Sequence, residues 1–378
     1  MRLAFICPEM LPLPAIRGGG VEALIDGVTP IIGKQHELTV ISVTDPALPV
    51  RNIAGGVEYI RFPKNNYRKY VAVHLAQNPP YDVIHVFNRP RNIDLYKRAS
   101  PPSRFVVSLH NEVFSPGMIS DQEGKLCIEC VETIMTVSNY IGRTVLRRFR
   151  DAKEKLQTVY SGVDLNRYPP VWEAGDRRAD LRKKLGLTHK KVILFVGRLH
   201  PKKGPHVLIE AFKLIRRRHP RAVLVIIGGR WFSDNSEDDY VRNLYSLAEP
   251  VKDRVIFTKY VSQNHIPDYY LAADVFVCPS QWQEPLARVH YEAMAAGVPM
   301  ITTKRGGNAE VITHNYNGMV INNYHHPAAF ADALNIILAK PGLARKYARR
   351  GRELAEKRFN FTRVAMDLHE IYKKAFFC

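Results

Sequence analysis

The chain has 378 residues, 46% hydrophobic and 24% charged, with a formal net charge of +19. This length predicts two domains of about 150 to 200 residues, and no stretch approaches the roughly 20 uninterrupted apolar residues of a membrane span, which predicts a soluble protein. The charge would concentrate anions of any kind, but Arg147-Arg148, Arg216-Arg217-Arg218 and Arg349-Arg350 come without an aromatic single-strand platform, zinc finger or RNP signature, so nucleic acid is the least supported partner.

The first apolar run, LAFIC (3–7), follows one Arg and stops at Pro8 and Glu9. It is too short for the apolar core of a secretion signal and reads as the first strand. Further strand-like runs are LTVISV (38–43), VEYIRF (57–62), DVIHVF (82–87), FVVSL (105–109), IMTVS (134–138) and LQTVY (156–160). After a Pro- and Gly-bearing stretch at 161–176, the expected linker, the theme repeats with VILFVG (192–197), AVLVIIGG (222–229), RVIFTKY (254–260), VFVCPS (275–280), PMITT (299–303) and GMVI (318–321). Several of these are apolar almost throughout, as parallel strands covered on both faces are. Helical patterns follow nearly every one, with helix starts expected at Ser120 with Glu123 and at Ser138. Such alternation predicts right-handed βαβ units in two doubly wound α/β domains. Residues 341–377 are helical, basic and strandless, and are expected to pack across the domain seam. Cysteines at 7, 127, 130, 278 and 378 are odd in number and scattered, which suits a reducing cytoplasm. Cys127 and Cys130 have no second pair to complete a metal site and read as part of a helix face.

Ligands of open parallel sheets bind beyond the carboxyl ends of the strands, so the residues that follow strands carry the functional argument. Gly18-Gly19-Gly20 precedes a helix with apolar Val21, Leu24, Ile25 and Val28 and could bring backbone amides to an anion, or could be a mobile loop. GRLHPKKG, from Gly197 to Gly204, sets the Arg198 fork and the Lys203 ammonium at a strand-to-helix turn, which suits a diphosphate. In EPLARVHYEAMAAGVP (284–299), Glu284 and Glu292 would lie about 12 Å apart along one helix at about 1.5 Å per residue. A hydrolytic carboxylate dyad needs roughly 5 to 9.5 Å and is disfavoured. With Pro285 placing the helix start after Glu284, the pair suits two acceptors for separate hydroxyls of one elongated ligand, with the amides of 286–288 between them; the bland alternative is an Arg288–Glu292 surface pair. His110 ends a strand in SLHNE, where a structural role and a ligand contact are both open. RFPKNNYRKY (61–70) mixes cations with aromatics and suits an anionic membrane, a polyanionic glycan or a solvated loop.

Together these segments resemble the retaining, nucleotide-sugar-dependent glycosyltransferases of family 4, including a spore-coat-associated type from endospore-forming bacteria. The matching motifs run through nearly the whole chain: the glycine loop, DVIHVF, SLH (108–110), TVSNYIGR (136–143), SGVDLNRY (161–168), VGRLHPKKG (196–204), the Glu-x7-Glu segment with EAMAAG, and TKRGGNAEVI (303–312). The resemblance implies the GT-B fold, two facing Rossmann-like domains with a C-terminal helix crossing the seam: an acceptor-side domain over 1–165, a nucleotide-sugar domain over 166–355 and a final helix, 356–378, packing back on the first. It implies that Arg198 and Lys203, beside Gly197, hold the donor diphosphate, Glu292 the ribose and Glu284 the hexose. Amides around Leu286, Ala287 and Arg288 would contact hexose or phosphate, His110 a sugar hydroxyl near the reacting carbon, and Gly18, Gly19 and Gly20 would border phosphate and acceptor. No cofactor or metal is expected, only a UDP-sugar co-substrate and a glycan, lipid or coat acceptor, with a cytoplasmic location or one at the spore coat or membrane periphery. Ala287, Ala309, Asn111 and Lys259 stand where the family usually has Gly, Pro, Asp and Gly. A non-catalytic nucleotide-sugar-binding or coat protein on the same scaffold is the alternative.

Overall fold

A computed structural model describes residues 1–231 and 234–377; Cys378 lies outside them. The chain divides into two compact units, Met1–Gly162 with Phe361–Cys378, and Val163–Asn360. Strands in the first are β1 (Arg2–Ile6), β2 (Glu37–Val43), β3 (Arg51–Ala54), β4 (Val57–Phe62), β5 (Val83–Phe87), β6 (Arg104–Leu109), β7 (Thr133–Thr136) and β8 (Leu156–Thr158). The second unit holds β9 (Lys191–Val196), β10 (Ala222–Ile227), β11 (Val255–Lys259), β12 (Val275–Cys278), β13 (Met300–Thr303) and β14 (Met319–Ile321).

The first sheet runs β3-β4-β2-β1-β5-β6-β7-β8 and the second β11-β10-β9-β12-β13-β14. All pairings are parallel except β3 with β4. Each sheet therefore reverses its winding once, between β1 and β5 and between β9 and β12, and such switch points open a crevice at the carboxyl ends of the two strands. The apolar runs explain the layering. Along β1, Leu3 and Phe5 enter one core while Ala4 and Ile6 enter the other, as the two-residue side-chain period requires. Only β3 is unexpected from the sequence. Gly55 and Gly56, at φ 58° and 80°, turn the chain between Ala54 and Val57 as a tight hairpin and add an antiparallel edge strand.

Residues 341–377 form two helices. Pro341–Arg358 belongs to the second unit, and Phe361–Phe377 to the first, where Val364, Leu368, Ile371 and Tyr372 join Leu3 and Phe5. The Phe361 ring lies 2.3 Å from where a Cβ on Gly27 would be, so that helix contact depends on glycine. The segment expected as linker is largely fastened to the second unit: Val163 N–H donates to Phe359 O at 2.9 Å, Val171 N–H to Ala296 O at 3.0 Å, and Tyr168 is buried against Tyr270. Of the 61–70 stretch, Lys64, Arg68, Lys69 and Tyr70 are exposed, but Arg61 and Tyr67 point inward. Arg61 donates to Leu13 O and Pro49 O, and Tyr67 to Ile41 O, so these two serve the fold. Among the described residues no helix is long and apolar enough to cross a membrane.

Candidate functional site

In the second unit the switch point carries the basic turn and the glutamate segment. β9 ends at Val196, Gly197 and Arg198 follow, and Pro201–Lys203 forms a single 3-10 turn closed by Gly204 in the left-handed region, φ 73°. A side chain at Gly204 would place Cβ 2.0 Å from Pro279 O, so glycine is what lets this turn lie against the chain leaving β12. Gly306 does the same for the glutamate loop: its Cβ would stand 1.9 Å from Glu284 O, which accepts from Gly307 N–H at 2.8 Å.

These approaches bring Lys203 and Glu284 together from 81 positions apart. Lys203 Nζ is 2.8 Å from both Glu284 oxygens, Ser280 Oγ donates to Oε2 at 3.0 Å and Trp282 Nε1 at 2.7 Å. Burial pushes the Glu284 carboxyl upward, but Lys203 and the donors from Trp282 and Ser280 outweigh it and hold the group below its usual value. The carboxylate is thus ionised, with three of its four bonds crowded on Oε2 and one, from Lys203, on Oε1. Arg198 lies over the Trp231 ring, 4.4 Å from the centroid. Burial lowers its pKa and the Glu284 charge raises it, so three charges, two positive and one negative, share this corner.

Glu292 sits elsewhere. The expected helix begins at Val289 and spans only Val289–Ala295, so residues 286–288 form the turn before it. Glu292 accepts from Tyr270 O–H at 3.1 Å, and burial raises its carboxyl against Arg288, the Tyr270 bond and Arg167. The two glutamates therefore have separate partners and oppositely shifted acidities. Ala287 N–H donates to Asn308 Oδ1 at 3.3 Å, and the Ala287 carbonyl faces His290 Nδ1 at 2.8 Å. Lys259 adopts φ 62°, the left-handed conformation that favours glycine, where β10 and β11 shift register.

In the first unit Gly18 and Gly19 take φ 92° and 105° before the helix Gly20–Ile32. The loop leading to them is pinned: Leu13 N–H donates to Ser42 Oγ at 3.2 Å, and Arg17 pairs with Asp45 at 3.0 Å. At the neighbouring strand ends, Arg89 pairs with Glu9 at 2.7 Å, and Asn88, held at φ 57°, accepts His110 N–H on Oδ1 at 3.0 Å. His110 Nε2 lies 3.2 Å from Ser108 Oγ. Asn88 was not singled out in the sequence and Glu9 only as the end of the first run; their signal was a polar residue within two positions of the ends of DVIHVF and LAFIC. Among the described residues no cluster of three His, Cys, Asp or Glu is placed to hold a metal ion.

Glu22 also escaped the sequence reading. It is 4% exposed, and its Oε2 occupies the space a Gly19 Cβ would need, 2.0 Å away. Burial raises its carboxyl from 4.5 to about 7, opposed by a bond to its own amide and by Arg89. The fold therefore favours the protonated form: this contribution is full below about pH 4.5 and is lost as pH rises through about 7. At about 1.4 kcal/mol per unit it amounts to roughly 3 kcal/mol. Wild type is expected to lose stability relative to Glu22→Gln, which mimics the protonated carboxyl and cannot ionise, as pH rises from 5 to 8; a melting-temperature difference that stays constant would refute the assignment.

Comparison with known proteins adds to this geometry. Residues 177–354 match the family described as glycosyl transferases group 1, and residues 18–167 match glycosyltransferase family 4. A protein of Bacillus subtilis (strain 168) provisionally named a glycosyltransferase, YtcC, is 51% identical over 99% of this chain and 92% of its own length. Spore coat protein SA of the same strain is 44% identical over 99% of this chain and 100% of its own. The crystal structure of Anabaena HepE in complex with UDP superposes at a TM-score of 0.78, with 21% identity over 99% of this chain and 100% of that one, and HepE in complex with UDP-glucose at 0.77. That likeness establishes the two Rossmann-like domains of the GT-B fold.

Proposed function

The chain belongs to the group 1 glycosyltransferases, its N-terminal part to glycosyltransferase family 4, and we propose that it moves a hexose from a nucleoside diphosphate sugar to an acceptor hydroxyl with retention at the anomeric carbon. The observation that carries this reading is the Lys203–Glu284 pair beside Arg198 at the β9/β12 switch point. An ammonium has three protons. Two are directed at Glu284, which leaves one for a phosphate oxygen while the pair persists. Arg198 contributes a planar fork to the same diphosphate. In the reaction the anomeric C–O bond to the diphosphate breaks, the acceptor oxygen bonds to the same face of the sugar, and its proton passes to the departing phosphate. Negative charge grows on that phosphate, and fixed cations are the groups that stabilise it.

Glu284 takes a hexose hydroxyl in this reading on Oε1, which accepts a single bond, from Lys203. Glu292 takes the ribose hydroxyls, and His110 a sugar hydroxyl. Uridine as the base is supported by the UDP and UDP-glucose named in the HepE complexes. The acceptor class is a glycan, a lipid or a coat component.

A panel of nucleotide sugars supplied with EDTA, with nucleotide diphosphate release and product anomer followed, tests the proposal. Retained release with a retained anomer supports the cationic clamp; complete dependence on a divalent ion or an inverted product counts against it. Glu292→Ala is expected to weaken UDP binding by about 10- to 100-fold, the loss of one charge-assisted hydrogen-bond pair. Unchanged affinity in titration calorimetry would sink the ribose assignment. The likeness to Spore coat protein SA favours a second reading, a structural coat protein that binds the nucleotide sugar without transfer; tight UDP binding with no turnover on any donor would select it.

A further inference from the structure

The peptide at Ala287 is gripped at both ends by side chains that no motif identifies. Its N–H donates to Asn308 Oδ1 at 3.3 Å. Its carbonyl lies 2.8 Å from His290 Nδ1, and a carbonyl can only accept, so Nδ1 carries the proton. Burial holds the His290 pKa down to about 4, which keeps the ring neutral and leaves Nε2 to accept from Thr302 Oγ1 at 2.7 Å. His290, Thr302 and Asn308 are each 0% exposed. At the opposite end of the loop Glu284 O accepts from Gly307 N–H at 2.8 Å and Gln283 Oε1 from Gly306 N–H at 2.7 Å, beside the Glu284 side-chain bonds.

We infer that Asn308, His290 and Thr302 form a clasp that sets the orientation of the Ala287 peptide, and with it the hexose end of the donor site. The inference rests on the donor-site reading above. Three observations separate it from ordinary packing. The clasp holds the two peptide groups that flank Ala287, so the Ala287 N–H and carbonyl are spent within the protein, against the expectation that this amide contacts hexose or phosphate, and the directions of the Leu286 carbonyl and Arg288 N–H are set with them. Asn308 places Oδ1 under the Ala287 amide while its Nδ2 is buried without a partner, an arrangement that packing alone would not favour. The gripped residue lies three positions after Glu284, within the turn into the helix that bears Glu292, and so between the two glutamates assigned to hexose and ribose. A loop held in one conformation discriminates among sugars that differ in a hydroxyl, because a mismatched partner leaves a buried polar group unpaired. These are positioning residues.

The test uses His290→Leu, Asn308→Ala and the nearly isosteric Thr302→Val, with His290→Asn as the conservative variant whose Nδ2 can replace Nδ1. Affinities for UDP, UDP-glucose, UDP-galactose and UDP-N-acetylglucosamine are measured by calorimetry, turnover by UDP release, and folding by thermal melts. The expected result in His290→Leu and Asn308→Ala is a UDP affinity within about twofold of wild type and a preference among the three sugars reduced by about tenfold. His290→Asn should restore most of that preference, and Thr302→Val should lose part of it with little change in melting temperature. Parallel weakening of UDP and UDP-sugars, or unchanged sugar preference in folded variants, overturns the clasp while leaving the donor-site reading in place. A wild-type protein that binds neither UDP nor any of the sugars overturns the donor-site reading, and the clasp with it.

Discussion

Glu284→Ala is expected to destabilise the second unit by about 3–5 kcal/mol and to remove transfer activity, because it leaves a buried pair with one partner. The expected size follows from what the carboxylate holds. Lys203 spends two protons on it, and Ser280 and Trp282 each donate one bond. Alanine strands all three donors, of which Ser280 is 0% exposed. Leaving one buried neutral donor unpaired costs about 1–3 kcal/mol and an unpaired charge more, so the pair dominates. A double-mutant cycle separates the charge from the rest. Adding Lys203→Met to Glu284→Ala removes the uncompensated ammonium and should recover part of the stability, a coupling of about 1–3 kcal/mol. Denaturant midpoints of the four proteins decide the matter. A loss below about 1 kcal/mol in Glu284→Ala, typical of an exposed pair, would mean that the carboxylate is solvated and not a buried anchor.

The strands were legible because each is a short apolar run bounded by turn residues, and the thirteen expected from the sequence form within two residues of their anticipated limits. β3 was not, because Arg51–Ala54 buries almost nothing and carries no apolar pattern; its only trace is the Gly55-Gly56 turn. Arg198, Lys203 and Glu284 stood out as residue types following strands, and Glu292, inside a helix, through the spacing of the glutamate segment and family resemblance. What sequence could not supply is pairing across 81 positions. Read singly, Lys203 is a phosphate ligand and Glu284 a sugar ligand; in the fold each is first the other's counter-charge.

Burial hid the remainder. Glu22 reads as an ordinary acidic residue in the first helical turn, and only the missing Cβ of Gly19 lets its carboxyl fold inward and become weakly acidic. Arg61 reads as a surface cation and is 1% exposed, spent on the loop that leads to the glycines. Lys259 stands where the family usually has Gly, yet its backbone takes the left-handed conformation at φ 62°, so the change alters a side chain more than a turn. Such effects depend on which atoms a fold crowds together, and local propensity does not encode them.

Arg198→Ala is expected to lower kcat by about 10²- to 10³-fold, the cost of removing one donor aimed at developing negative charge. Arg198 is half-buried, which lowers its pKa, and its guanidinium lies over the Trp231 ring at 4.4 Å. A partly desolvated, pre-oriented cation needs little reorganisation when charge moves onto the departing diphosphate, and its effect should therefore fall mainly on kcat. Lysine cannot replace it: an ammonium lacks the planar fork and the stacked face, so Arg198→Lys should recover less than about a tenth of the loss. Trp231→Ala, which removes the stack and keeps the guanidinium, should give an intermediate rate. Steady-state kinetics alongside UDP affinity distinguish the outcomes. A fall in UDP affinity with kcat intact would make Arg198 a binder of the ground state alone, and no change in either would move the phosphate clamp away from the β9/β12 switch point altogether.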